Sequence, residues 1–167
     1  LASRLLPGLR AGQGVADARA LALAGTEVPA GAFGRHFLDL ELVGLERFAL
    51  RLEALTAQPV LAPHAAQVEF ESGGQSWRVH AGFADLRAGG VVRHRYDALR
   101  ARDMLEAWLH HLVLCADPAP GIDLRTTWLA RDEMIMLHPV DAAREALRTL
   151  VVLYARGLRE PLYFFPK

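Results

Sequence analysis

Ala-Gly-Phe-Ala-Asp-Leu (81–86) and Gly-Val-Val-Arg-His-Arg (90–95) decide how this chain is read. Trp77, Val79, Ala81 and Phe83 alternate with Arg78, His80, Gly82 and Ala84, the period of a strand with one buried face. Continued by one step, that alternation sets Asp85 on the inward face, where a carboxylate needs a partner. Arg87-Ala88-Gly89-Gly90 predicts a hairpin turn into a second strand, Val91–Tyr96. Arg93 and Arg95 then share a face of that strand, and either can reach Asp85.

The pairing has a chemical meaning. Gly82-Phe83-Ala84-Asp85 has the Gly-x-x-Asp form that ends one strand of metal-dependent nuclease cores, which it resembles. Such cores carry an acidic residue, any residue, then Lys on the next strand. Here those positions hold Arg93 and Arg95. A divalent cation needs clustered carboxylate oxygens, and a guanidinium supplies the opposite charge. Asp85, Arg93 and Arg95 are therefore read as a vestigial site, with no catalytic residue and no metal. A second carboxylate near Asp85 would favour the rival, an active nuclease with displaced ligands; Glu69 and Asp97 lack the spacing for it.

Working outward, Gln67–Glu71 alternates and Ser72-Gly73-Gly74-Gln75 predicts a hairpin before Trp77. A helix is expected from about Phe37 to Gln58-Pro59, with Leu40, Val43, Leu45, Phe48, Leu52 and Leu55 as its apolar stripe. Residues 1–36 read as a loosely structured helical lead-in, with a short helix over Ala16–Ala24, and residues 37–167 as the domain proper. After the second hairpin, a helix over Ala98–Cys115 is predicted, with Asp97 as its N-cap and Leu105, Trp108, Leu109 and Leu112 inside. A strand over Ile122–Leu129, a hairpin partner over Met134–Leu137, and a helix over Val140–Arg156 complete the order. Leu147, Leu150, Val151 and Tyr154 are expected to face inward on that last helix. The sum is an α/β fold with a mixed sheet flanked by helices. Its order matches a restriction-endonuclease-like core of the PD-(D/E)XK type.

Other chemistries find little support. His110 and His111 are adjacent on a helix and point about 100° apart, so they do not chelate one ion as an i, i+4 pair would. His64, His80 and His94 are isolated. Gly73-Gly74 and Gly89-Gly90 lack the Lys-Ser/Thr of a phosphate loop. Cys115 sits at an apolar helix end and reads as inert core. As the single cysteine it excludes an internal disulfide and a Cys-based zinc site, which fits a reducing compartment.

The 52% apolar and 23% charged composition is that of an ordinary globular domain. Formal net charge is zero, against a free-standing binder of nucleic acid held by bulk electrostatics. Basic residues nevertheless gather at Arg93, Arg95, Arg100 and Arg102, the candidate contacts to DNA phosphates. No run has the eighteen apolar residues of a membrane span, and no signal-peptide pattern opens the chain. It reads as a cytoplasmic piece of a longer protein.

Four strings carry a more specific resemblance. Arg-His-Arg-Tyr (93–96) with Leu-Arg-Ala-Arg-Asp (99–103), Trp-Leu-His-His-Leu-Val-Leu-Cys-Ala (108–116), and Leu-Tyr-Ala-Arg-Gly-Leu-Arg-Glu-Pro-Leu-Tyr-Phe-Phe-Pro-Lys (153–167) are similar to the C-terminal domain of exodeoxyribonuclease V gamma subunits, the RecC family. The likeness covers about residues 60–167. It implies a nuclease-like fold without nuclease activity, inside an ATP-dependent helicase–nuclease acting on double-strand breaks. The implied partners are the beta (nuclease–helicase) and alpha (helicase) subunits and double-stranded DNA. The domain itself has no cofactor in this reading; ATP and Mg²⁺ belong to other parts of the complex. Two alternatives stay open: an active RecB-type metal-dependent exonuclease domain, and a protein-interaction module that never meets DNA.

Overall fold

A computed structural model of the chain describes residues 1–161. The end of the Leu153–Lys167 string, residues 162–167, lies outside the described residues. Among those described, five helices and two sheets form a mixed α/β protein. The elements are α1 (Ala2–Arg10), α2 (Val15–Leu23), α3 (Gly31–Leu55), β1 (His64–Ser72), β2 (Gln75–Phe83), β3 (Leu86–Arg87) and β4 (Gly90–Arg95). They are followed by α4 (Ala101–Ala116), β5 (Thr126–Ala130), β6 (Met134–Leu137) and α5 (Ala143–Gly157).

The chain divides into two compact units. The first comprises Leu1–Ala57, His94–Ala98 and Leu129–Glu133. Here α1 and α2 pack on the long α3. Leu5 and Leu6 of α1 and Ala18 and Ala22 of α2 are buried, the alanines at an i, i+4 spacing that lets two helices approach closely. At Gly34 a Cβ would lie 1.7 Å from the Pro29 carbonyl oxygen, so only glycine permits the loop to fold onto the first turns of α3. The buried face of α3 is Leu38, Leu42, Leu45, Phe48, Ala49 and Leu52. Leu40 and Val43, expected inside, are 62% and 53% exposed. The N-terminal half of α3 is apolar on both sides, so periodicity alone does not choose the face. Phe33, Phe37, Leu40 and Val43 consequently form an apolar stripe in solvent. The Phe48 ring meets Tyr96 edge-on, centroids 5.2 Å apart, and the Tyr96 hydroxyl donates to the Glu41 carbonyl at 3.4 Å.

The second unit comprises Gln58–Arg93, Leu99–Trp128 and the chain from Met134. The β1–β2 hairpin pairs antiparallel from His64↔Phe83 to Ser72↔Gln75, turning on Gly73 and Gly74. Its inner face, with Ala66, Val68 and Phe83, shares a core with Leu112, Val113 and Leu114 of α4 and Ala143 and Leu147 of α5. Burying each such aliphatic side chain contributes roughly 1.5–3 kcal/mol.

Several sequence expectations need correction. The three strands around Asp85 are not one antiparallel run: β1 and β2 form their own two-stranded sheet, and β3 opens a four-stranded sheet of order β3-β4-β5-β6. A bend at Ala84 and Asp85 separates them, so the alternation of β2 does not extend to Asp85. Helix α4 begins at Ala101 with Arg100 as N-cap, not Asp97; the Asp103 carboxylate accepts from the Arg100 N–H at 3.0 Å and closes the first turn. Leu105 and Leu109 are 49% and 36% exposed, because the buried side of α4 runs through Ala107, His111 and Leu114. The strand after the Pro-rich loop starts at Thr126, since Asp123 N–H donates to the Ala88 carbonyl (2.7 Å) and Arg125 N–H to the Asp123 carbonyl (2.8 Å). On α5, Leu147 is buried but Tyr154 is 62% exposed.

Candidate functional site

The bend at Ala84–Asp85 is pinned on both sides. Phe83 and Leu86 are 2% and 1% exposed, so the chain enters and leaves the bend through the core. The Leu61 N–H donates to the Leu86 carbonyl at 2.8 Å. Arg87 adds a local clasp, its Nη1 donating to the Asp85 carbonyl (2.9 Å) and its Nε to the Gln58 carbonyl (3.1 Å). The Gln58 side chain in turn accepts the Gly89 N–H at 2.8 Å.

Strand β4 is held equally firmly. Gly90 has φ +106°, and a Cβ there would stand 2.1 Å from the Arg125 carbonyl oxygen. That carbonyl instead accepts the Val91 N–H at 2.9 Å. The geometry delivers Arg93 to Asp85: Arg93 Nη1 donates to Asp85 Oδ2 in a charge-assisted hydrogen bond. Both side chains are partly exposed, 25% and 34%. Asp85 Oδ1 is buried and has no hydrogen-bond partner among the described residues.

One carboxylate whose charge a guanidinium already meets does not suit a divalent cation, which needs several anionic oxygens. Among the described residues no group of three or more His, Cys, Asp and Glu side chains is placed to hold a metal. Glu69 is engaged by Arg78 Nε (2.5 Å) and Gln67 Nε2 (2.7 Å). Asp97 accepts the Ala98 N–H at 2.8 Å.

The four candidate arginines take different places. Arg93 lies on Asp85. Arg95 Nη2 donates to the Ala98 carbonyl (3.3 Å) and stands 4.0 Å from Asp97 Oδ2. Arg100 is the exposed N-cap of α4, and Arg102 is exposed in its first turn.

The histidines separate too. His111 is fully buried, Nε2 2.7 Å from the His138 carbonyl and Nδ1 3.0 Å from Thr126 Oγ1. Burial pushes its pKa below the usual imidazole range, so the ring is neutral. Its neighbour His110 instead meets the Phe83 ring edge-on, centroids 6.3 Å apart. Cys115 Sγ lies 3.5 Å from His111 Nε2, and burial raises the thiol pKa. The ring nitrogen facing the sulfur is committed to the His138 carbonyl and does not activate it. Sequence reading missed Arg87, Asp103 and the His111–Thr126–His138 network. Only Asp103 had a local signal, an acid at the third position of a helix.

Comparison with known proteins adds the lineage. The RecBCD enzyme subunit RecC of Escherichia coli (strain K12) is 26% identical over 144 residues, covering 84% of this chain and 12% of that protein. The chain thus spans a small part of the relative's length. No described helix is long and apolar enough to cross a membrane. A family model for the RecC C-terminal domain matches residues 1–167, and the chain belongs to that family.

Proposed function

We propose that this domain is a non-catalytic, nuclease-like part of a bacterial helicase–nuclease, working by position rather than by chemistry. In this reading the fold descends from a restriction-endonuclease-like core. The domain docks the active beta subunit, in company with the alpha subunit, in the cytoplasm. Arg93, Arg95, Arg100 and Arg102 contact duplex phosphates, giving salt-dependent binding without sequence choice. ATP and Mg²⁺ act elsewhere in the complex. The observation that supports this most directly is the Arg93 guanidinium seated on the Asp85 carboxylate, where a hydrolytic centre would carry a cation.

Incubating the chain with linear duplex DNA and Mg²⁺ tests the reading. No cleavage is expected from the wild type or from Asp85→Ala. Cleavage by the wild type that Asp85→Ala abolishes would establish the active-nuclease alternative instead. In the assembled complex, Arg102→Glu is expected to weaken duplex binding while leaving subunit assembly intact. Intact duplex binding would leave a pure interaction module.

A further inference from the structure

The two-stranded β1–β2 sheet has two outer edges, and they end differently. On β1 the Gln67 N–H donates to Asp117 Oδ2 at 2.8 Å, and the Glu69 carbonyl accepts from Arg144 Nη1 at 3.1 Å. Both main-chain groups therefore point away from β2, and a side chain from α5 or the end of α4 closes each. Their register partners on β2 are His80 and Arg78. In an antiparallel ladder, opposed residues that do not exchange hydrogen bonds turn their backbone groups outward on both strands. Ser76, Arg78, His80 and Gly82 thus present N–H and C=O groups along the free edge of β2, while Trp77, Val79 and Ala81 bond to β1.

Nothing comparable closes this second edge. Among the described residues no loop or side chain bonds to the main chain of Ser76, Arg78, His80 or Gly82, and all four are exposed. Past the bend the Leu86 carbonyl accepts from Leu61, while Leu86 pairs with Val91 of β4, so the chain is covered on both sides there. The β1–β2 register runs one to one from His64↔Phe83 to Ser72↔Gln75, without a bulge, and β2 contains no proline. Two devices that ordinarily blunt an edge are therefore missing. The Arg78 guanidinium is drawn back onto its own hairpin, its Nε donating to Glu69 Oε1 at 2.5 Å.

The side chains of β2 define what pairs there. Val79 and Ala81 pack on the core yet stay partly exposed, as does Trp77. An added strand with apolar residues at alternate positions would cover them. Its other positions would lie across from Arg78 and His80, where acidic side chains are favoured and basic ones repelled. A second copy of β2 fits badly, because antiparallel pairing about the middle of the strand sets Arg78 against His80. We infer that the β2 edge takes up an extended segment of a partner polypeptide by strand addition, the segment alternating apolar and acidic side chains. The inference rests on the docking part of the function proposed above and names its surface. It uses neither Asp85 nor the arginines assigned to DNA.

A fluorescein-labelled peptide alternating valine and glutamate over nine residues, the length of β2, tests it on the 167-residue chain. Anisotropy is expected to show binding about tenfold tighter than that of a valine–lysine counterpart. In amide hydrogen exchange followed by NMR, the bound peptide is expected to slow the Arg78 and His80 N–H groups about tenfold or more. N-methylating alternate peptide amides gives two isomers, and the test then leaves the protein itself untouched. The isomer whose methyls meet the edge is expected to bind about tenfold or more weakly, the other as the parent peptide does. Equal loss in both isomers, or binding that leaves the Arg78 and His80 amides unprotected, overturns strand addition. Absence of binding by the valine–glutamate peptide does so too, and equal binding of the lysine peptide overturns the acidic partner. Protection that grows with chain concentration and no peptide gives the edge to a second copy instead. These failures are separable from the proposed function, which is read from cleavage and from Arg102→Glu in the assembled complex.

Discussion

Arg93 neutralises Asp85 through one carboxylate oxygen, while the other, Oδ1, is buried without a hydrogen-bond partner among the described residues. The pair is thus half satisfied. Its Coulombic gain is limited by the solvent that reaches both side chains, and its cost of desolvation is concentrated on one atom.

Breaking that pair is expected to cost little. Arg93→Met, which keeps the apolar stem, is expected to lower stability by about 1 kcal/mol or less, as for other solvent-screened pairs. Asp85→Asn in the same cycle is expected to show a coupling energy of about 0.5–1 kcal/mol in urea denaturation. A coupling near zero would mean that the contact does not persist in solution.

His111 makes stability depend on pH. Burial holds its folded pKa below that of the unfolded chain, which is about 6.5. Above that value both states are neutral and the full stability is present. As pH falls through the window from the unfolded value down to the folded one, the unfolded chain takes up the proton first, and stability declines. His111→Gln is expected to remove about one proton from this acid-side slope in denaturation measured across pH. An unaltered slope would place the titration elsewhere.

Gly90→Ala is expected to be strongly destabilising, by more than about 1 kcal/mol. The positive φ is unfavourable for any side chain, and the new methyl would meet the Arg125 carbonyl that anchors Val91. A thermal melt compares it directly with Gly89→Ala, whose nearest neighbour is the movable Gln58 side chain. The second variant is expected to lose less.

Cys115 should be a slow thiol. Its pKa is raised by burial, and the thiolate is the reactive form. Reaction with a disulfide reagent at pH 8 is expected to be at least about tenfold slower in the native chain than in the urea-unfolded chain. Equal rates would show that the end of α4 opens readily.

How much of this was legible in the sequence varies with how local the signal is. The β1–β2 hairpin was, because Gly73-Gly74 sits between two runs of clean alternation. Helices α2 to α5 are legible as helices, whereas α1 falls in the stretch read only as a loosely structured helical lead-in, and the inward faces are less secure. On α3 both sides of the N-terminal half are apolar, so periodicity puts Leu40 and Val43 inside, whereas Leu38 and Leu42 are the buried pair. The division into two sheets was hidden: nothing in Phe-Ala-Asp-Leu announces that the chain bends at Asp85 rather than continuing β2. The strands' residue types limited Asp85 to two arginines, and only tertiary geometry separates Arg93 from Arg95. His111 needed a carbonyl twenty-seven residues away, which no spacing rule could supply.

The apolar stripe on α3 has a practical corollary. Phe33, Phe37, Leu40 and Val43 face water on a chain whose formal net charge is zero, so no long-range repulsion opposes contact between two molecules. That face is a ready surface for self-association, and Leu40→Lys is expected to raise the solubility of the purified chain without touching the core.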